Sequence, residues 1–380
     1  MKIAYVTTYD ARDIKNWSGI GYYMARSLEN QSMILEYIGS LTEKYSLPLK
    51  AKQYLSNKLL TKRYLRDRDP LILTNYAQQV ATKLSKLNSD LVFSPGSIPI
   101  AYLECNQPIV FWTDCTFSGL VDFYPEFTNL SKETLQDGYE MEKAALERCR
   151  LAIYSSEWAA QTAINNYQIE SSKIKVVPFG ANIECNRNID DIKTLVKSRP
   201  SNRCRLLFLG VNWQRKGGDI AFGVAKELNK IGLETELTVV GCRPITNEPF
   251  SSFIKDLGFI SKSTSEGLSK IGKLLAESHF LILPSLADCS PIVFCEANSF
   301  GVPCLTTDVG GIPTVIKDNL NGKTFTKEAS ITDYCTYISN LFSDYSEYEK
   351  LALSSFNEYQ SRLNWTVAGR TVKNLLLKLI

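Results

Sequence analysis

Histidine is almost absent from this chain: one residue, His279, in 380. It opens the apolar run Ser278-His279-Phe280-Leu281-Ile282-Leu283, where an imidazole reads as a structural group and not as a general base. Ser/His/Asp and Cys/His hydrolytic schemes therefore have little to build on. The ten cysteines include no Cys-x-x-Cys pair, which removes the usual spacing of a zinc site or a thioredoxin-type centre. Several lie in apolar runs, as Cys295 does in Ile-Val-Phe-Cys-Glu, where a free thiol acts as a small core hydrophobe. No apolar run approaches the ~20 residues that cross a bilayer, and the stretch after Met1-Lys2 is far shorter than a signal-peptide core. A reduced, cytoplasmic protein is expected. Charge of one sign is missing too. Lys plus Arg total 43 against 40 for Asp plus Glu, a net +3, which is not the balance of a nucleic-acid binder. There is no low-complexity segment and no repeat with a period of 20 to 50 residues.

What is present is length and alternation. A single core rarely grows past roughly 250 to 300 residues, so a chain of this size should form two domains. Lys2 to Thr8 reads as a buried strand, and Gly19-Ile20-Gly21 then opens an amphipathic helix, the first unit of a parallel α/β domain. Strands follow at Asp90–Phe93, Ile109–Trp112, Leu151–Tyr154 and Ile174–Val177, with a long helix from about Ser131 to Cys149. Pro178-Phe179-Gly180-Ala181-Asn182 breaks the pattern. The winding restarts with strands at Arg205–Leu209, Glu236–Val240, near Leu257–Phe259, Phe280–Leu283 and Pro303–Thr306. Helices are expected from Gly217 to Lys230, from near Pro291, and in two or three pieces from Ile331 to Ile380. The expectation is two doubly wound Rossmann-like domains, residues 1–182 and 183–362, facing across a cleft, with residues 363–380 as a final helix returning toward the first.

Ligands of such folds sit at the C-terminal ends of the strands. Gly210-Val211-Asn212-Trp213-Gln214-Arg215-Lys216-Gly217-Gly218 lies there, between a strand and a helix. It combines flexible backbone with two cations, which suits a diphosphate, although a solvated turn explains a Lys-Gly at a helix start about as well. Asp288 and Glu296, eight residues apart, place one carboxylate in a loop and one in the helix after it. Carboxylates so placed commonly grip vicinal hydroxyls, one pair on a ribose and one on a sugar. Gly310-Gly311 offers close backbone approach or a simple turn. In the first half, Asp114 follows the strand Ile109–Trp112 and either points into the cleft or caps the next turn. Asp67-Arg68-Asp69 spells a metal-binding Asp-x-Asp but stands before Pro70, away from a strand end, and no metal is expected. Lys44 to Arg68 holds eight basic residues and one acid, interleaved with Leu55, Leu59 and Leu60. It reads as a solvated helix or as a basic amphipathic one that lies on anionic lipid or attracts an anionic acceptor.

The blocks FLGVNWQRKGGD, LPSLADCSPIVFCEA and FGVPCLTTDVGGIPTVIKDNLNG, in this order, resemble the retaining nucleotide-sugar-dependent glycosyltransferases of the GT-B fold, family 4. Weaker likeness extends over the Trp17-Ser18-Gly19-Ile20-Gly21 loop, Pro-Phe-Gly-Ala-Asn, and Leu363-Asn364-Trp365. The resemblance implies transfer of a sugar from a UDP-, GDP- or ADP-linked donor to an acceptor hydroxyl on a glycan, glycolipid or small molecule, with no cofactor. The second domain would hold the donor and the first the acceptor. By the same resemblance Lys216 and Arg215 bind the diphosphate, Glu296 the ribose and Asp288 the donor sugar, with Ile292 and Val293 beside them. Gly19 and Gly21 let the first loop approach the phosphates, Lys216 and Asp288 are expected to carry catalysis, and Asp114, standing where the family has its histidine, joins them if it points into the cleft. This chain departs from the family at three places. The first carboxylate of the spaced pair is usually Glu, the arginine after the phosphate-loop glycine is replaced by Val211 or Asn212, and the histidine of the first domain is missing. Two rivals follow from the same fold: a nucleotide-sugar 2-epimerase, which needs acid/base side chains, and a non-catalytic nucleotide-sugar-binding subunit. The Gly-x-Gly-x-x-Gly of a dinucleotide-binding dehydrogenase is absent after the first strand.

Overall fold

A computed structural model of the protein describes residues 1–245 and 252–379. Position 380, the end of the expected C-terminal helices, lies outside them. The chain divides into two compact units, one formed by residues 1–178 together with 368 onward, the other by Phe179–Val367.

Among the described residues, unit 1 carries β1 (Lys2–Val6), β2 (Ile34–Ile38), β3 (Leu91–Ser94), β4 (Ile109–Thr113), β5 (Leu151–Tyr154) and β6 (Ile174–Val176), all parallel, in the order β2-β1-β3-β4-β5-β6. Unit 2 carries β7 (Cys204–Leu209), β8 (Thr235–Val240), β9 (Ile254–Asp256), β10 (Phe280–Leu283), β11 (Cys304–Thr307) and β12 (Gly322–Phe325), also parallel, in the order β12-β11-β10-β7-β8-β9. Helices link the strands, as parallel connections require. Two six-stranded parallel sheets with flanking helices make the doubly wound architecture expected from the alternation.

The inner strands read as continuous apolar runs because helices cover both faces. β3, β4, β5, β10 and β11 are buried at every residue. The outer strands are different. β2 begins exposed, β9 is exposed at two of its three residues, and β12 opens on Gly322. These are where the sequence expectation departs from the fold: β2 and β12 were not expected, and β9 lies three residues before the run Leu257–Phe259. Leu257 and Phe259 are themselves exposed, so that apolar pair is outside the sheet and β9 is held by its backbone pairing to β8.

Local signals set the helix ends. Ser131 Oγ accepts from the Thr134 amide at 3.1 Å and starts the helix Lys132–Arg148, the usual work of an N-cap serine. Asp69 does the same for Pro70–Leu84, accepting from the Leu71 amide at 2.8 Å with Pro70 in the first turn. The Pro-Phe-Gly-Ala-Asn and Leu-Asn-Trp motifs meet inside unit 2. The rings of Phe179 and Trp365 stack at 5.7 Å, Trp365 Nε1 donates to Asn182 Oδ1 at 2.9 Å, and a Cβ on Gly180 would stand 2.2 Å from the Trp365 nitrogen. The division between units falls within the helix Trp365–Leu376, after Val367. From there the chain packs on unit 1, where Lys373 Nζ donates to the Gln31 carbonyl at 2.9 Å.

Candidate donor and pocket sites

In unit 2 the chain leaves β7 toward β8 and β9 on one side and returns to β10, β11 and β12 on the other. The reversal lies between β7 and β10, and ligands of such sheets bind outside the strand ends at that point. The loops after these two strands are residues 210–217 and 284–291. They are bolted together: Arg215 Nη1 donates to the Ala287 carbonyl at 2.8 Å, and the Leu286 amide donates to the Arg215 carbonyl at 2.8 Å. Gly217 makes the approach possible. It has φ 74°, and a Cβ there would lie 2.0 Å from the Pro284 carbonyl oxygen, so both its conformation and its space require glycine.

This frame brings Lys216 to Asp288. The lysine Nζ donates to Asp288 Oδ2, and both side chains are largely buried. The Asp288 carbonyl in turn accepts from the Gly311 amide at 3.0 Å, which ties in the loop after β11. Arg215, Lys216, Asp288 and Gly311 therefore form one network. Glu296, in the helix Ile292–Asn298, is fully buried and holds a different cation: its Oε1 accepts from Lys262 Nζ. Its Oε2 has no hydrogen-bond partner. A buried carboxylate oxygen in that state is costly until some donor reaches it. Ile292 is buried, and Val293 packs half-buried against the core. Lys262 escaped the sequence reading because a single cation in the polar run Ile260-Ser261-Lys262-Ser263 looks like any solvated loop residue.

Unit 1 has its own reversal, between β1 and β3. A cavity of about 230 Å³ lies there. It is lined by residues after β1 (Thr7, Thr8, Tyr9), after β3 (Ser94 to Pro99) and at the end of β4 (Thr113, Asp114, Cys115), with Trp17, Arg68, Phe117, Leu120 and Glu142. Asp114 is thus a pocket residue, and the capping role falls to Thr116, whose Oγ1 accepts from the Gly119 amide at 3.1 Å. Trp17, Ser18 and Gly19 have φ of 45°, 53° and 83° in succession, a left-handed turn that costs two non-glycine residues some strain and brings Trp17 to the cavity. Gly21 has a packing reason of its own: a Cβ there would meet the Tyr9 hydroxyl at 2.3 Å.

Glu142 was not singled out from the sequence, and Arg68 was named only within Asp67-Arg68-Asp69 and the basic segment. Glu142 Oε2 accepts from Ser97 Oγ at 2.9 Å and from the Phe117 amide at 3.3 Å. Burial pushes its carboxyl up to about 7, against the opposing pull of the Ser97 hydrogen bond and of Arg68. A signal was available. In its helix the buried stripe runs Thr134, Gly138, Met141, Glu142, Ala145, Leu146, and a carboxylate within an apolar stripe is out of pattern.

The remaining candidates hold structure. Asp67 pairs with Arg68, while Asp69 caps a helix and accepts from the Tyr64 hydroxyl. His279 is buried, accepts at Nδ1 from the Arg205 amide at 3.0 Å and contacts the Pro200 carbonyl through Nε2 at 3.1 Å. Burial, with Arg199 nearby, holds its pKa down to about 3. All ten cysteines are free thiols.

Residues 203–344 match the family model described as Glycosyl transferases group 1, a stretch that lies within unit 2. Over 168 residues the chain is 23% identical to the Escherichia coli UDP-Gal:alpha-D-GlcNAc-diphosphoundecaprenol alpha-1,3-galactosyltransferase, covering 43% of each. The chain thus spans less than half the length of that relative. Among solved structures, sucrose-phosphate synthase from Thermosynechococcus elongatus has a TM-score of 0.72 at 13% identity, over 100% of this chain and 99% of that one. Anabaena Alr3699/HepE, solved in complex with UDP and glucose, has a TM-score of 0.65 at 16% identity over the whole of both chains. The fold is GT-B, and the likeness to glycosyl transferases group 1 covers residues 203–344.

Proposed function

We propose that the protein is a retaining glycosyltransferase that uses a nucleotide diphosphate sugar bound by unit 2. The observation that carries this reading is the Lys216–Asp288 pair at the strand-order reversal, beside the Arg215 loop. An arriving diphosphate competes with Asp288 for Lys216 and draws on a charge-assisted contact. Asp288, released, is free to accept hydrogen bonds from the donor sugar. Glu296, with one oxygen already on Lys262 and the other unpartnered, accepts from a ribose hydroxyl. The UDP in the HepE complex and the UDP-galactose donor named for the E. coli relative support a uridine nucleotide first, with GDP- and ADP-sugars as the alternatives.

In the transfer step the bond from the anomeric carbon to the diphosphate oxygen breaks and a bond from that carbon to the acceptor oxygen forms. The acceptor's proton passes to the departing diphosphate, so no protein nucleophile, metal or further cofactor enters the balance. Negative charge grows on the leaving group, where Lys216 and Arg215 stabilise it. Unit 1 receives the acceptor in the Asp114 pocket, and Asp114 orients the attacking hydroxyl. A lipid-linked or glycan acceptor fits a cytoplasmic enzyme working at the inner membrane face. The helix Ser46–Leu59 supports that placement, since Leu47, Tyr54, Leu55 and Leu59 are exposed on it beside Lys50 and Lys58. Screening UDP-, GDP- and ADP-sugars for thermal stabilisation tests the donor reading: one nucleotide class should raise Tm, and no response to any of them would end it.

A further inference from the structure

Three buried polar atoms of residues that line the unit 1 pocket have no hydrogen-bond partner: the Tyr9 hydroxyl and one atom each of the charged residues Glu142 and Arg68. Glu142 is 2% exposed; its Oε2 is served by Ser97 and the Phe117 amide, but Oε1 by nothing. Arg68 is 7% exposed; its Nη1 bonds to Asp67 Oδ2 at 2.6 Å, but its Nε to nothing. Both residues line the same cavity of about 230 Å³, which at roughly 30 Å³ per liquid water is room for a small molecule and not a single solvent site. Orphaned buried groups are uncommon in native proteins and ask for an explanation.

The chemistry of the pair narrows the ligand. Ionised, Glu142 Oε1 needs a donor, and Arg68 Nε needs an acceptor. The arginine charge is already answered by Asp67, so a phosphate or carboxylate entering the cavity would meet the carboxylates of Glu142 and Asp114 with no cation to spare. An ammonium group would have the guanidinium against it. Adjacent hydroxyls on a ring satisfy the two charged orphans without adding charge, one donating to Glu142 and the other accepting from Arg68.

We propose that Glu142 and Arg68 are a recognition pair for two neighbouring hydroxyls of a neutral sugar or polyol ring seated in the unit 1 pocket. This rests on the reading that unit 1 receives the acceptor. It adds the class of group recognised there and the residues that read it. Ser97, in the wall of the same pocket, acts as a positioning residue by donating to Glu142 Oε2 and holding that carboxyl in place.

The test is ligand-detected NMR on the full chain, with methyl glucoside, methyl galactoside and myo-inositol as neutral probes, glucose 6-phosphate as the anionic probe, and UDP as a control. At least one neutral probe should bind more tightly than glucose 6-phosphate. Its affinity should fall roughly 10- to 100-fold in Glu142→Met, which removes a charged hydrogen-bonding group at similar size, and less in Glu142→Gln. Arg68→Met supplies the same readout if Glu142→Met does not fold. UDP affinity should stay unchanged in every variant. The inference is overturned if neutral probes bind the variants as well as the parent, if glucose 6-phosphate binds best, or if UDP binds while no neutral probe does. Neutral probes that bind and respond to the variants while UDP fails would uphold the pair and count against the donor reading instead.

Discussion

The two candidate sites bury their carboxylates in opposite ways. In unit 2, Asp288 and Glu296 each hold a lysine, Lys216 and Lys262. In unit 1, Glu142 is held by a hydroxyl and a backbone amide, and its carboxyl is pushed up to about 7 by burial. Pairing keeps a buried charge tolerable, and removing one partner is expensive. It also stores cations at the place where an anion would bind. Neutral donors do the reverse: they bring no lysine to the carboxyl, which burial lifts to about 7, and so suit the site to uncharged hydroxyls. On this account the difference in how acids are buried separates a site for a diphosphate from a site for a sugar.

The comparison breaks or sharpens at named residues. The largest effect is expected in unit 1 at Asp114. Asp114→Asn should lower transfer by ~10²- to 10⁴-fold, part of what orienting a reactant supplies, with donor binding little changed. Kinetics with a competent acceptor measure it, and near-full transfer would reduce Asp114 to a scaffold residue. In unit 2, Lys216→Ala should lower kcat by ~10²- to 10³-fold, by analogy with losing one preorganised donor, read as turnover of the nucleotide sugar. Glu296→Gln should act differently, raising the donor KM roughly 10- to 100-fold through lost ground-state contacts. If Glu296→Gln instead lowers kcat alone, the ribose assignment is wrong.

The pH dependence of stability separates the units again. The Glu142 carboxyl is raised from 4.5 to about 7, so between those values the folded state keeps a proton that the unfolded state has lost. Stability from this group is full below pH 4.5 and declines as pH rises through about 7, by up to about 3 kcal/mol. His279 has the opposite sign. Its pKa is lowered from 6.5 to about 3, so the unfolded state takes up a proton first and stability falls as pH drops below 6.5. Glu142→Gln removes only the first effect. Its Tm relative to the parent should therefore be higher at pH 8 than at pH 5, and a constant offset would contradict the buried-acid assignment. The smallest effect concerns the exposed helix Ser46–Leu59. Replacing Lys50 and Lys58 with Gln should weaken binding to anionic vesicles about tenfold and leave neutral vesicles unaffected.

Much of this was legible in the sequence, for physical reasons that also mark where legibility ends. Inner strands such as Ile109–Thr113 and Phe280–Leu283 are buried on both faces, so their residues are apolar without interruption. Edge strands such as Ile34–Ile38 and Ile254–Asp256 are held by backbone pairing, and Glu36, Lys255 and Asp256 hide them. Loop residues between a strand and a helix stood out in the same way, which is why Lys216 and Asp288 were found. That the two pair with each other was not visible, because 72 residues separate them and only the strand order brings their loops together. Glu142 and Lys262 were missed for opposite reasons. One sits where an apolar residue was expected, the other where any polar residue would do.

Calorimetric titration with UDP, GDP and ADP, on the parent and on Lys216→Ala, Glu296→Gln and Glu142→Gln, tests the central claim most directly. The account predicts that one nucleoside diphosphate binds the parent, that Lys216→Ala and Glu296→Gln each weaken it by about tenfold or more, and that Glu142→Gln leaves it unchanged. Equal binding to the parent and Lys216→Ala, or no binding of any of the three, would contradict it.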